Sequence, residues 1–328
     1  MRTIARVPAS PGTGRRYRQL TALAGGLVWA TSIGVLRPGW PEAMLLLASL
    51  VVVPLGLDLL APPGPHGRHA RLWSVAHGLR APAAWALVAS FALPHGRAAA
   101  ALALPWLAIT GTAALRGLGR LRAGPRTPAW LCLGVGPVYL AVGGAWAVIA
   151  RAGLCPLGFP DVIVLMTAVH FHYAGFALLV LAGRAAGALG GPAAGAACLG
   201  AVAGVPLVAA GITDAQLMPG LLPPRAAELV ATGVMATAGV LVGLLQIRLA
   251  TRPDRPPLAR ALLAVSGAAI LLPMGLAWFY ALGAYRHAVW IDIAGMFRYH
   301  GAVNALGFAL PGLLAWHVTP GPGRGVDR

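Results

Sequence analysis

The stretch DVIVLMTAVHFHYAGFALLVLA, residues 161 to 182, decides the fold class of this chain. Apart from histidines, its one charged residue is Asp161 at the start, and the next charged residue along the chain is Arg184. A helix needs about 20 predominantly apolar residues to cross the hydrocarbon core of a bilayer. The stretch is therefore predicted to be a transmembrane helix that carries His170 and His172 near its middle.

The composition extends this prediction to the whole chain. Of 328 residues, 58% are hydrophobic and only 10% are charged, which leaves too little polar material to cover a soluble surface. Ten apolar runs approach the required length, at about residues 20–37, 42–61, 81–94, 97–117, 129–151, 159–182, 193–212, 225–248, 258–283 and 293–317. They predict an all-α fold, a polytopic bundle of transmembrane helices.

The third run, at 81–94, is the weakest of the ten. It is short, and only the segment ALPHGRAA, residues 92–99, separates it from the fourth run. The pair forms either two helices or one re-entrant or strongly tilted element, so the predicted count is nine or ten. The third helix can also begin earlier, within ARLWSVAHGLR at 70–80.

The arginines predict the orientation of the bundle. All 25 basic residues are arginines, and 19 of them lie in the terminal tails or in alternate loops. Basic residues of short loops stay on the cytoplasmic side, so both termini are predicted to be cytoplasmic. The predicted organisation is a cytoplasmic basic tail at 1–19, a single transmembrane domain at 20–317 and a disordered cytoplasmic tail at 318–328. Six arginines remain on the other side: Arg37, Arg97, Arg151, Arg225, Arg286 and Arg298.

The sequence excludes several classes of function. The arginines fall between apolar runs, where membrane topology accounts for them, so nucleic acid is not an expected partner. The three cysteines, Cys132, Cys155 and Cys198, have no CxxC spacing and predict neither a zinc cluster nor a disulfide framework. No GxGxxG, P-loop, GxSxG or HExxH motif occurs in the chain. Functional chemistry is therefore expected within or beside the bilayer.

Histidines inside the spans are the most informative polar residues. On a helix, His170 and His172 project roughly 200° apart and must face different neighbours. In the tenth run, His300 and Asn304 are four residues apart, so they share one face of a helix at a depth similar to that of the first two histidines. Ionisable residues in a span are costly and indicate function by default. A polar cluster between the sixth and tenth helices is geometrically allowed.

These residues define a predicted pocket that opens toward the outer side. The pocket comprises His170, His172, Tyr173, Arg298, His300 and Asn304, and the three histidines are its candidate metal ligands. Arg298 can alternatively extend its charge to the interface. No catalytic residue is assigned, and two acidic residues are candidates for a general acid or general base. Glu228 lies in the first turn of the eighth run, where the helix dipole favours a carboxylate in any case, and Asp58 has no evident partner in sequence.

Two motifs carry a resemblance to a known family. HFHYAGF at 170–176 together with RYHGAVNALGF at 298–308 resembles the YndJ-like family of bacterial multi-pass membrane proteins. The likeness extends over most of the membrane region. It implies a multi-pass protein of the bacterial inner membrane with histidine motifs, and it implies no particular reaction, since the activity of the family is uncharacterised.

A second, local likeness concerns AVHFHY at 168–173. It is similar to the helix of heme-copper oxidases in which a His-Phe-His segment serves two metal centres from opposite faces. This chain lacks the adjacent His-His pair, the His-Pro-Glu-Val-Tyr segment and the full ligand set of that class, so a terminal oxidase is excluded. A single transition metal or heme, bound by His170 or His172 and by His300, stays compatible with the sequence.

Three functions remain open. The first is a metal-dependent or heme-dependent membrane enzyme in which Asn304 orients a ligand and Glu228 or Asp58 supplies acid or base. The second is a transporter of a small molecule in which histidine protonation couples movement to a proton gradient. The third is a structural or sensory protein whose histidines hold helices together. The bilayer and a small-molecule ligand are the expected partners, and the oligomeric state is open.

Overall fold

A computed structural model describes residues 11–60, 68–217 and 225–319 of the chain. These residues form ten helices and no strand, so the all-α prediction is confirmed. Each predicted apolar run overlaps one helix. Numbered in chain order, the helices are α1 Pro11–Leu36, α2 Trp40–Asp58, α3 Arg68–Ser90, α4 Arg97–Ala123, α5 Pro128–Ala152, α6 Asp161–Leu189, α7 Pro192–Leu217, α8 Ala226–Ala250, α9 Pro257–Tyr285 and α10 Ile293–Val318.

The helices have the dimensions of a polytopic membrane protein. Within the described residues, eight are long and apolar enough to cross a bilayer. The other two are α1, whose apolar part is Thr21–Leu36, and α3, whose first half is polar. The prediction of a multi-pass transmembrane bundle is therefore confirmed.

The third and fourth runs form separate helices. Helix α3 begins at Arg68, well before the run at 81–94, because a polar segment can be helical without giving an apolar signal. A tight turn at 91–96 separates α3 from α4, and it ends at Gly96 with a φ of 144°, a conformation that favours glycine. The described residues form ten helices, the larger of the two predicted numbers.

The predicted tails lie mostly outside the described residues. Helix α1 begins at Pro11, within the segment 1–19 that was predicted as a basic tail. The description ends at Thr319, one residue beyond α10. The remaining parts of both tails, 1–10 and 320–328, are outside it.

Helices α2 and α6 form the centre of the bundle. In their most apolar segments, 83% of α2 and 67% of α6 is buried inside the protein, more than in any other described span. Helix α6 contacts α2, α5, α7, α8 and α10. Gly56 allows the closest of these approaches, because a Cβ there would lie 2.5 Å from Cε1 of Phe176 on α6. The histidine motif of α6 is thus placed inside the bundle.

Three of the described helices contain π-helical segments. Residues Ala48–Val52 of α2, Tyr173–Leu178 of α6, and Met296–Gly301 and Val303–Ala309 of α10 are wound as π-helix. The π segment of α6 contacts the second π segment of α10. Such segments are rare and often occur at functional sites. Both histidine motifs adjoin or contain one.

Contacts between helix ends define two faces of the bundle. At one end, Arg255 in the α8–α9 loop donates a hydrogen bond to Thr319, just beyond α10. We call this the arginine-rich face, because the α8–α9 loop, which was predicted to be cytoplasmic, carries Arg252 and Arg255 there. At the other end, Arg151 near the end of α5 donates to the carbonyls of Ser90 and Leu93 at the end of α3. We call this the opposite face.

Candidate functional site

His172 is buried and fully hydrogen-bonded. Its side chain is 0% exposed. Nε2 accepts a hydrogen bond of 2.9 Å from the indole N–H of Trp106 on α4, and Nδ1 lies 2.7 Å from the carbonyl oxygen of Ala168. A neutral ring with its proton on Nδ1 satisfies both contacts. The indole and imidazole rings are also nearly parallel, with centroids 6.0 Å apart.

Helix α5 approaches this histidine through a glycine. A Cβ at Gly143 would lie 2.7 Å from Nδ1 of His172 and 3.1 Å from Cβ of Phe171. Any side chain at this position would therefore push α5 away from α6. Trp106 and Gly143 were not singled out from the sequence, and they hold His172 between α4, α5 and α6.

His170 has a different environment from His172, although it is only two residues away. Its Nε2 atom is buried and has no hydrogen-bond partner among the described residues. The ring packs edge-on against Phe171, with centroids 5.9 Å apart, and it lies close enough to His300 to interact electrostatically. His170 is therefore the histidine of α6 with an open nitrogen.

His300 and Asn304 form a hydrogen-bonded pair on α10. The amide nitrogen of Asn304 lies 3.2 Å from Nε2 of His300, and Nδ1 of His300 lies 2.8 Å from the carbonyl oxygen of Pro273 on α9. If Asn304 donates, the imidazole is neutral and donates from Nδ1. His300 and Asn304 thus lie where α9 and α10 meet, and the electrostatic interaction of His300 with His170 links this pair to α6.

Tyr173 and Arg298 lie beside this group in different roles. The hydroxyl of buried Tyr173 donates a 3.0 Å hydrogen bond to the carbonyl oxygen of Met44, which ties α6 to α2. Arg298 is exposed. It lines a cavity of about 420 Å³ on the opposite face, between the starts of α2 and α10, together with Trp40 and Asp292.

Glu228 lies apart from the histidines. The residue is 8% exposed, and its carboxylate accepts a 3.0 Å hydrogen bond from Arg225, which immediately precedes α8. Arg225 adopts a left-handed conformation with φ of 61°. No hydrogen bond or ion pair between described residues joins Glu228 to His170, His172 or His300.

Asp58 has partners that were not evident in sequence. Arg80 on α3 binds both carboxylate oxygens of Asp58, and Nε2 of His77 lies 3.1 Å from Oδ1. The side chains of Asp58 and Arg80 are only 4% and 3% exposed. This cluster lies toward the arginine-rich face and is separate from the histidine group.

Sequence reasoning also missed a second cavity on the opposite face. It has a volume of about 400 Å³, and its lining includes Glu42, His95 and Arg151. Arg151 is 4% exposed, and its Nε atom is buried without a hydrogen-bond partner among the described residues. The available signal was an arginine at the last position of the apolar run 129–151, which was counted with the arginines of the outer side.

The donor atoms do not fit a bound metal or heme as they stand. Both ring nitrogens of His172 are engaged, and Nε2 of His300 faces the amide of Asn304. Only His170 among these three offers an unpaired nitrogen. No group of three or more His, Cys, Asp or Glu side chains with metal-site geometry occurs in the described parts of the chain. The metal and heme assignments stay predictions without structural support.

Comparison with known proteins gives one clear relationship. The sequence model of a family described as "YndJ-like protein" matches residues 43–308. A protein of Bacillus subtilis strain 168, named "Uncharacterized membrane protein YndJ", is 29% identical over 189 residues, which is 56% of this chain and 32% of that protein. The matched segment thus spans about a third of the relative's length. No solved structure matches the chain.

Proposed function

The chain belongs to the YndJ-like protein family, and we propose that it transports a small polar solute coupled to a proton through His170, His300 and Asn304. The observation that carries this proposal is the open Nε2 atom of His170, which is buried and unpaired among the described residues. A buried polar atom without a partner costs free energy, so a protein that retains one usually uses it. A proton or a hydrogen-bonding solute would satisfy it.

Histidine is suited to binding and releasing the proton that this function requires. Its ordinary pKa of about 6.5 allows a change of charge near physiological pH. Because His170 and His300 lie close enough to interact, two positive charges would repel strongly in a low-dielectric site. The pair is therefore expected to hold one added proton at a time.

Asn304 and His300 are the proposed binding groups for the solute. The contact between them is long, at 3.2 Å, and a solute hydroxyl or amide can insert between them by donating to Nε2 of His300 and accepting from the amide of Asn304. The acids Glu228 and Asp58 bind arginines elsewhere. The expected solute is consequently uncharged and rich in hydrogen-bonding groups, rather than a cation.

The backbone of the central helices supports transport. Secondary transporters commonly have irregular helices at the depth of their binding site. Helices α2, α6 and α10 each contain π winding, and His300 and Asn304 lie within the two π segments of α10. Among the residues that the structure describes, π winding occurs in α6 and α10 at the proposed site and in α2, which packs against them.

The cavity beside Arg298 is the proposed entrance for the solute from the opposite face. Asp292, at the start of α10, lines this cavity. It precedes His300 by eight residues, which corresponds to about 12 Å along a helix. A solute in the cavity would have to pass about two helical turns to reach the histidine pair.

A metal-dependent enzyme is less well supported than a transporter. It needs two or more free ligands, whereas the nitrogens of His172 and His300 already face hydrogen-bond partners. A purely structural role accounts for His172 but not for the open nitrogen of His170.

The bacterial inner membrane and the predicted orientation are part of the proposal. The loop between α5 and α6 carries Cys155, which is exposed, whereas Cys132 and Cys198 are buried. A membrane-impermeant maleimide should label Cys155 from outside in spheroplasts if the arginine-rich face is cytoplasmic. Labelling only in inverted membrane vesicles would reverse the orientation.

Transport is tested with purified protein in liposomes that contain the pH-sensitive dye pyranine. A panel of sugars, polyols, amides and neutral amino acids is added outside under an imposed membrane potential. At least one solute should produce proton uptake that protein-free liposomes lack. Asn304→Leu should abolish the response, and His287→Asn, a change at an exposed histidine, should preserve it. Proton flux that does not depend on a solute would contradict the proposal. The absence of proton flux with every class of solute tested would also contradict it.

A further inference from the structure

Two arginines pack on one tryptophan at the arginine-rich face. The guanidinium carbons of Arg184 and Arg255 lie 4.6 and 4.5 Å from the centre of the Trp316 indole ring. The two side chains come from different parts of the chain, α6 and the α8–α9 loop. Trp316 is two residues from the end of α10, so the cluster lies near the end of the bundle.

The cluster carries positive charge without a paired acid. All three ion pairs between described residues have Asp58 or Glu228 as the acid. Asp254 lies near Arg255 but outside ion-pair distance, and Arg120 on α4 adds a third positive charge near Arg184. Like charges that are partly removed from water repel each other.

The same cluster contains buried hydrogen-bond donors that are not used. Arg255 is 9% exposed and Trp316 is 8% exposed. Nε of Arg184, Nε of Arg120 and Nε1 of Trp316 are all buried without a hydrogen-bond partner among the described residues. Each of these atoms carries a proton and can only donate. The missing partners are therefore acceptors, and an anion would also offset the positive charge of the arginines.

We propose that Arg184, Arg255 and Trp316 bind the phosphate of an anionic phospholipid headgroup. Guanidinium groups bind phosphate oxygens in a bidentate manner, and the indole N–H supplies a further donor. Basic pockets between helices on the cytoplasmic side are typical sites for anionic lipid headgroups. The position of Trp316 near the end of α10 sets the cluster at headgroup depth, which favours a lipid over a soluble anion.

The proposal is tested by native mass spectrometry of the detergent-purified full chain. Phosphatidylglycerol, cardiolipin, phosphatidylcholine and inorganic phosphate are titrated separately. We expect the two anionic lipids to bind more tightly than phosphatidylcholine or inorganic phosphate. Arg184→Gln should weaken anionic lipid binding roughly 10- to 100-fold, since it removes a charge-assisted contact. Arg248→Gln is the matched control, because Arg248 is exposed on the same face and the variant loses the same charge.

A second variant covers the case in which Arg184→Gln does not fold. Trp316→Phe keeps the aromatic packing and removes only the indole donor, so it should weaken anionic lipid binding by a smaller factor. An equal loss of anionic lipid binding in Arg248→Gln and Arg184→Gln would overturn the site, because the loss would then reflect the net charge of the protein and not a specific contact. Binding of inorganic phosphate as tight as that of phosphatidylglycerol would overturn the lipid assignment.

Discussion

The indole N–H of Trp106 donates a 2.9 Å hydrogen bond to Nε2 of His172 across the interface of α4 and α6. This contact gives the two histidines of the motif different roles. His172 is committed to packing, whereas His170, two residues earlier, keeps an open and buried nitrogen. The spacing of the motif lets one helix serve a structural interface and a binding site at the same depth.

Trp106→Phe should destabilise the protein. It leaves Nε2 of His172 buried without a donor, which costs about 1–3 kcal/mol. The measurement is the thermal unfolding temperature in detergent. Trp85→Phe is the control, because Trp85 is 53% exposed and the same substitution is then made at the surface. Equal unfolding temperatures for the two variants would show that the indole contact contributes nothing.

Gly143→Ala should destabilise the contact between α5 and α6. The new methyl group would lie 2.7 Å from the His172 ring, and overpacking of this kind costs about 1–3 kcal/mol. Gly136→Ala is the control on the same helix, since its Cβ would meet its nearest atom at 3.4 Å, an ordinary contact. The prediction fails if both variants unfold at the same temperature.

Arg80→Ala should be among the most damaging single changes in the chain. It leaves the Asp58 carboxylate buried and without its main cationic partner, and breaking a buried pair in this way costs about 3–5 kcal/mol. Adding Asp58→Asn to Arg80→Ala should recover part of the lost stability, because the unpaired charge is then removed. Unfolding by denaturant, with exposed Arg71→Ala as control, measures both effects. A double variant less stable than Arg80→Ala would contradict this view.

Cys155 should react faster with an alkylating agent once Asp161 loses its charge. The thiol donates a 2.9 Å hydrogen bond to Oδ1 of Asp161, and this bond together with the carboxylate charge raises the pKa of Cys155. Asp161→Asn lowers that pKa, so more thiolate is present at pH 8 and iodoacetamide should react faster, by up to about tenfold for a full pKa unit. The two rates should converge once the pH exceeds the pKa of Cys155 in both proteins. A constant ratio at every pH would contradict the assigned cause.

Hydropathy predicted the fold because the physical requirement is simple. Most of the apolar runs are near the length that a bilayer demands. The run at 81–94 placed the start of α3 too late, whereas the alternative start within 70–80 lies close to the observed one, because the segment from Arg68 is helical without being apolar. The π segments were also beyond prediction, because they depend on backbone hydrogen bonds that composition does not encode.

The site was predicted less completely than the fold. Spacing on one helix indicates which side chains share a face, and the structure has Asn304 beside His300. Spacing cannot identify neighbours on other helices. Trp106 is 66 residues from His172, and Arg80 is 22 residues from Asp58. The division of labour between His170 and His172 follows from such distant contacts, so the motif alone left both as candidate ligands.

The central claim is that the open nitrogen of His170 couples a proton to solute movement. The most direct test compares wild type with His170→Gln in liposomes. Two quantities are measured for each protein: proton uptake driven by the solute, reported by pyranine, and exchange of the same labelled solute across the membrane. The account predicts that His170→Gln loses proton uptake and retains solute exchange. Proton uptake at the wild-type rate in His170→Gln would contradict it.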